Sequence, residues 1–129
     1  MRILGFSKKW DKLNQVELTT FRYPRRDKDW FIGEIVQIVY HPRSKDREIL
    51  GIAEITNIEK RAMAWHGDKS GETKITNEEA KEDGFDDNGH GAYFTMWEFL
   101  WDYYGGQRLL EEPMNKITLR KQISFNVSE

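Results

Sequence analysis

Ile75-Thr76-Asn77-Glu78-Glu79-Ala80-Lys81-Glu82-Asp83-Gly84-Phe85 divides the chain. Thr76 and Glu79 form a capping box, in which the threonine oxygen takes the amide three residues on and the glutamate reaches back to the amide of Thr76. The pattern predicts a short helix from about Asn77 to Asp83. It stops at Gly84, where the left-handed C-cap conformation costs glycine little.

Working outward, Thr95-Met96-Trp97-Glu98 repeats the box, and the helix it opens runs through Phe99-Leu100-Trp101-Asp102-Tyr103-Tyr104 to Gly105-Gly106. Trp97, Leu100, Trp101 and Tyr104 share a stripe that Phe99 and Tyr103 widen almost all round, so this helix is expected to be buried, packed over the open end or side of a barrel. A third helical turn is expected over Lys8 to Leu13. Alternation marks the last strand: Ile117, Leu119, Ile123, Phe125 and Val127 share a face interrupted by Lys121, with Thr118, Arg120, Gln122, Ser124 and Asn126 opposite. Ahead of the capping box lie the β-branched runs 35–40 and 49–55, joined by His41-Pro42-Arg43-Ser44-Lys45-Asp46, which has hairpin-loop composition. Arg2 to Phe6 and Glu17 to Arg22 complete about five strands, enough to close a small barrel. With no repeat and no regular strand–helix alternation, a doubly wound sheet is unfavoured and the expected class is α+β.

At 129 residues the chain suits one domain, spanning 1–129. Charged residues make up 33% and aromatics 13%, with five tryptophans, which describes a globular protein with a very polar skin rather than a disordered polyelectrolyte. Cysteine is absent, so disulfides and thiolate zinc sites are excluded and a reducing compartment is the natural home. No apolar run approaches the roughly 18 residues of a spanning helix, and the N-terminal one is too short for a signal-peptide core. A cytoplasmic protein without membrane association is expected. The net charge of −2 conceals asymmetry: residues 1–30 carry eight Lys/Arg against four acids, and residues 78–102 carry one lysine against eight acids. A basic binding face is therefore compatible with the neutral total.

Familiar chemical signatures fail. Counting from Gly89 puts Gly84 and Thr95 where a calcium loop needs carboxylates. His41, His66 and His90 lack metal-ligand spacing, no phosphate-binding glycine loop is present, and no metal or cofactor is implied. The stretches 63–74 and 85–91 read as surface loops or lids. What remains is basic and aromatic: Lys8, Lys9, Trp10 and Lys12, then Thr19-Thr20-Phe21-Arg22-Tyr23-Pro24-Arg25-Arg26, then Trp30. Arginine offers a planar fork to phosphate or a base edge, threonine adds short-range hydrogen bonds, and an aromatic face stacks on a base. That mixture suits single-stranded or irregular nucleic acid better than a duplex groove.

The Thr19-Thr20-Phe21-Arg22 strand, the Gly33-Glu34-Ile35-Val36 strand start, the acidic helix ending in Asp83-Gly84-Phe85, the Trp97-Glu98-Phe99-Leu100 helix and the final alternating strand together resemble the ASCH family, of the PUA-like superfold. The resemblance implies a small PUA-like β-barrel of about five to six strands with two to three flanking helices. It also implies a cleft between barrel and helices, and binding of RNA or another nucleic acid. Arg22, Thr20, Lys8, Lys9, Arg25, Arg26, Trp10 and Trp30 are the expected contacts, with a nucleotide or nucleoside as the smaller alternative ligand. Some ASCH-like proteins are amidohydrolases that remove an acyl group from acetylated cytidine, using a lysine and a threonine on the early strand and a glutamate on a later helix. By that resemblance the threonine is Thr20 and the glutamate Glu98, but the lysine position falls on Glu17, which weighs against catalysis. Lys8, Lys9 or Lys12 would have to substitute from another segment. A small hydrolase, whether amidohydrolase or ribonuclease, is thus the alternative to a binding module. A protein-interaction role, using the acidic stretch 78–87, is the second.

Overall fold

The computed structural model describes residues 1–6, 10–25, 27–62, 73–87 and 89–124. The strands are β1 (Arg2–Phe6), β2 (Glu17–Arg22), β3 (Ile35–Tyr40), β4 (Glu48–Ala62), β5 (Thr73–Lys74) and β6 (Met114–Ser124). The helices are a 3-10 turn over Asp11–Asn14 and three α-helices: α1 (Asn77–Glu82), α2 (Ala92–Tyr104) and α3 (Gly106–Glu111). The class is α+β, as the sequence predicts.

The sheet runs β1-β3-β4-β6-β2, with β5 added to β4. β1 and β3 pair in parallel, while β3–β4, β4–β6 and β2–β6 are antiparallel. Among the described residues no ladder joins β1 to β2, so the sheet is open rather than a hydrogen-bonded closed barrel. Three register shifts, at Ile38/Val39, Ile52/Ala53 and Ile55/Asn57, let the sheet bend. β4 outruns its expected end at Ile55 because its polar second half pairs with β6 from Asn57 to Arg61. There the ladder supplies what the apolar pattern lacks.

Two cores result. Leu4, Phe6, Leu18, Trp30, Val36, Ile38, Ile55, Ile117 and Leu119 form one buried cluster, drawn mostly from the strands. Phe21, Tyr23, Ile75, Phe85, Met96, Leu100, Leu109 and Met114 form a second cluster under the helices, and Trp10 packs against both.

The helix starts separate local from tertiary signals. At α1 the capping box is present, with Glu79 N donating to Thr76 Oγ1 at 3.1 Å and Thr76 N to Glu79 Oε1 at 3.0 Å, and Gly84 takes φ +113°. At α2 the expected box does not form, because the helix starts four residues earlier, with Gly91 rather than Thr95 at the N-cap and Ala92 as its first residue. Thr95 lies inside it with Oγ1 turned back to Gly91 O at 3.3 Å. The caps come from elsewhere: Asp87 Oδ1 accepts from Gly91 N at 2.9 Å, and Asn77 Oδ1, from the first turn of α1, accepts from Tyr93 N at 2.8 Å. The buried stripe of α2 is accordingly Ala92, Met96 and Leu100, while Phe94, Phe99, Trp101 and Tyr103 are exposed. This corrects the expectation that the aromatic residues are mostly buried. Gly105, at φ +91°, ends α2 as expected, but the chain restarts immediately as α3. The third predicted helical turn survives as the 3-10 segment; Lys8 and Lys9 lie outside the described residues. Phe125 and Val127, and 63–72 of the expected loop, lie outside them too.

Candidate functional site

The 3-10 turn carries Lys12 under the sheet, and β2 presents Thr20 and Arg22 to the same space. From the other side, α1 ends with Asp83 pointing inward. These four side chains line an interior chamber of about 70 Å³ whose walls include Phe6, Trp10, Phe85, Phe99, Leu100 and Tyr104. On that measure a water needs about 10–15 Å³, so the chamber holds roughly five water-sized groups, or the edge of one ring.

Its electrostatics are unusual for a core. Lys12, 5% exposed, donates to Asp83 Oδ1 at 2.5 Å and to Thr19 O at 2.9 Å. Burial pushes the Lys12 ammonium below its ordinary pKa and the Asp83 carboxyl above its own, the mutual attraction offsetting part of each. Arg22 donates from Nε to Thr20 Oγ1 at 3.2 Å and from Nη2 to Gly5 O at 2.7 Å, with its guanidinium 4.7 Å from the Phe6 ring centre. Burial lowers its pKa as well, with Asp83 acting in the opposite direction. Among the described residues, two cations and one carboxylate therefore face the chamber, leaving one positive charge in surplus. Burial likewise raises the Tyr104 hydroxyl's pKa, with Arg22 opposing.

The chamber abuts an outer basin of about 590 Å³. Gly5, Phe6, Arg22 and Tyr103 line both, and His41, Pro42, Arg43 and Ser44 of the β3–β4 loop complete the basin. That loop is seated firmly. His41 takes φ +47°, its ring stacks on Tyr40 at 3.9 Å, and its amide donates to Phe6 O at 2.9 Å. Pro42 lies so close to Gly5 that a Cβ there would stand 2.7 Å from Pro42 Cγ. Only glycine lets the loop approach β1 this closely.

The expected contacts divide. Thr20, Arg22 and Trp10 meet at the chamber, where Trp10 stands 5.1 Å from Phe85 and 5.7 Å from Phe99. Trp30 is no stacking surface: it is 7% exposed within the sheet core, with Arg2 at 4.6 Å and Arg25 at 5.4 Å from its ring. Arg25 is exposed, pairs with Asp27 at 3.1 Å, and does not line the cleft. Arg2, the first cation of the basic segment, is held by Glu34. Lys8, Lys9 and Arg26 lie outside the described residues.

Glu98 is also misplaced by the resemblance. It lies on the far side of α2, in a shallow groove with Phe94, Trp97, Trp101 and Asp102. Glu17 is exposed and lines neither the chamber nor the basin. The carboxylate and ammonium that do reach Thr20's chamber are Asp83 and Lys12. The acidic stretch that offered a protein-binding face is partly consumed inside the fold, since Glu79 pairs with Arg61 at 2.9 Å and Lys116 at 2.7 Å.

Among the described residues no group of three or more His, Asp or Glu is placed to hold a metal ion, and no helix is long and apolar enough to cross a membrane. Compared with protein-family models, with curated proteins and with solved structures, the chain matches none of them.

Proposed function

We propose that this protein is a nucleotide- or nucleic-acid-binding module of the ASCH type, which takes the edge of one unstacked base into the chamber. The observation that supports it is the pairing of a small aromatic chamber with three donors, the buried Lys12 and Thr20 and the half-buried Arg22, that open onto a cationic basin. A base edge offers acceptors to these donors, and the rings of Trp10 and Phe99 offer apolar walls. The chamber is too small for a duplex and suited to a base already free of its stack. Single-stranded RNA is accordingly the favoured polymer. The bent sheet under its helices is compatible with a PUA-like barrel left open at one seam.

Tryptophan fluorescence tests this directly. Titration with single-stranded RNA, single-stranded DNA, a duplex and free nucleosides should quench Trp10 for the unstacked ligands, and Arg22→Ala should weaken the response. Silence with every ligand, or an undiminished response in a folded Arg22→Ala protein, sinks the reading.

One observation favours a second reading, hydrolysis of an acylated nucleoside. Lys12 reaches Thr20's chamber from outside the strand and stands 2.5 Å from Asp83, restoring the ammonium–carboxylate–hydroxyl set that Glu17 interrupts. With its proton on Asp83, Lys12 is a base able to take a proton from an attacking water and return it to the leaving amine. Turnover of an N-acylated cytidine that Asp83→Asn abolishes while binding persists would establish this reading over simple binding.

A further inference from the structure

The outer basin asks for its own ligand group. Its described lining carries Arg22 and Arg43 and no carboxylate, while the adjoining chamber holds one cation more than it has acids. Lys12 is paired with Asp83, so the unbalanced cation is the half-buried Arg22; partial burial of an unpaired charge is costly, and an anion brought within reach recovers part of that cost. Arg22 stands in the wall between the two spaces, so an anionic group entering the basin approaches both its guanidinium and that of Arg43.

The geometry is set for a fixed target. His41 and Pro42 are tied to Phe6 and Gly5, and the loop closes on itself through Ser44 N to His41 O at 3.0 Å, Arg47 N to Ser44 O at 3.2 Å and Asp46 N to Ser44 Oγ at 3.1 Å. Arg43 and Ser44 are thus carried on a braced turn beside the chamber mouth. Tyr103, 64% exposed, faces the same space from α2 and stacks on Phe99 at 6.1 Å with the rings 10° apart. Among the described residues, a planar cation fork, a hydroxyl and an aromatic face surround a basin without carboxylates, a chemistry that suits a phosphate ester on a sugar.

We infer that the site recognises a phosphorylated nucleotide rather than a nucleoside, with the phosphate held in the basin by Arg43, Ser44 and the outer side of Arg22 while the base edge enters the chamber. This rests on the base-binding reading above and adds to it the class of ligand. The phosphate can belong to a free nucleotide or to a strand, and the two differ in whether a monoester or a diester is preferred.

The test is equilibrium titration of the intact chain with cytidine, uridine, adenosine and guanosine, with their 3′- and 5′-monophosphates, and with trinucleotides of the same bases. The best-bound base should gain about tenfold or more in affinity when it carries a phosphate, as expected for a charge-assisted contact. Arg43→Gln, at an exposed loop position, should reduce that gain to about twofold while leaving nucleoside affinity unchanged; Arg43→Lys should restore only part of it, because an ammonium lacks the fork. A trinucleotide binding more tightly than either monophosphate assigns the phosphate to a strand, and the reverse order assigns it to a free nucleotide. Nucleoside binding with no gain from phosphate, or a gain that Arg43→Gln leaves intact, overturns this inference and spares the base-binding proposal. Absence of binding by nucleosides and nucleotides alike overturns both.

Discussion

Replacing Asp83 by asparagine should leave the Lys12 ammonium buried opposite a neutral amide. The two side chains are 5% and 8% exposed and 2.5 Å apart, so solvent gives little relief. Breaking a buried pair from one side costs about 3–5 kcal/mol, whereas exchanging both partners for apolar groups of similar size is often neutral or favourable. For a domain whose whole stability is about 5–15 kcal/mol, the single change removes a large fraction. At about 4 °C per kcal/mol, it lowers Tm by roughly 12–20 °C. The double variant Lys12→Met, Asp83→Leu should recover most of this loss. The single variant also deepens a pH signature. Burial already holds Lys12 below its unfolded value of about 10.4, and without Asp83 opposing it Lys12 titrates lower still, so the range in which the unfolded chain binds the extra proton widens and the variant's stability rises more with pH. Urea denaturation of the wild type, Asp83→Asn, Lys12→Met, Asp83→Leu and the double variant at neutral and alkaline pH measures both effects. A loss below about 1 kcal/mol in Asp83→Asn, or a double variant as unstable as the sum of the singles, refutes the buried-pair reasoning.

Two further predictions concern α1. Burial opposes ionisation of Glu79, yet hydrogen bonds from Lys116, the Thr76 amide and Arg61 hold its pKa below the ordinary carboxylate range. Its contribution is therefore complete above the unfolded value of about 4.3 and lost as pH falls through the lower folded value, so Glu79→Gln should be less stable at neutral pH and have a flatter acid limb. Urea midpoints measured between neutrality and pH 3 report this, and parallel profiles for the two proteins contradict it. Asn77→Ala should cost about 1 kcal/mol by removing the cap on Tyr93 N, with faster amide exchange at the start of α2, while Asn77→Asp keeps the acceptor and the protection. Equal exchange in all three proteins would show that the cap contributes nothing.

The contrast between the two capping boxes explains what the sequence made legible. At Thr76 the partners lie within one turn, and the pattern alone locates the helix. At Thr95 the same letters are present, but Asp87 and Asn77 start α2 earlier, and Asn77 is a neighbour only after α1 and α2 have packed. β1, β2 and β3 emerge with the expected bounds because their alternation coincides with burial, whereas the outer half of β4 is polar and identified by its partner strand. α3 was hidden because Gly105-Gly106 signals a stop and carries no signal for a restart.

The site divides in the same manner. Thr20 and Arg22 share one face of one strand, and strand periodicity finds them together. Lys12 and Asp83 are 71 positions apart, and each has an ordinary explanation in isolation, one as a surface lysine and the other as a helix-ending acid. Arg43 belongs to a loop that composition marks as a simple hairpin connection. Only the seating of Pro42 on Gly5 brings it to the mouth of the chamber.

That seating has a consequence for how the protein can be altered. The floor of the site is built by β1, β2, the 3-10 turn and the end of α1, while the rim rests on it through backbone contact and a proline ring rather than through interlocked side chains. Residues 43–47 can therefore be exchanged like a fitting on a fixed mount, changing which ligands are admitted without redrawing the chamber that receives them.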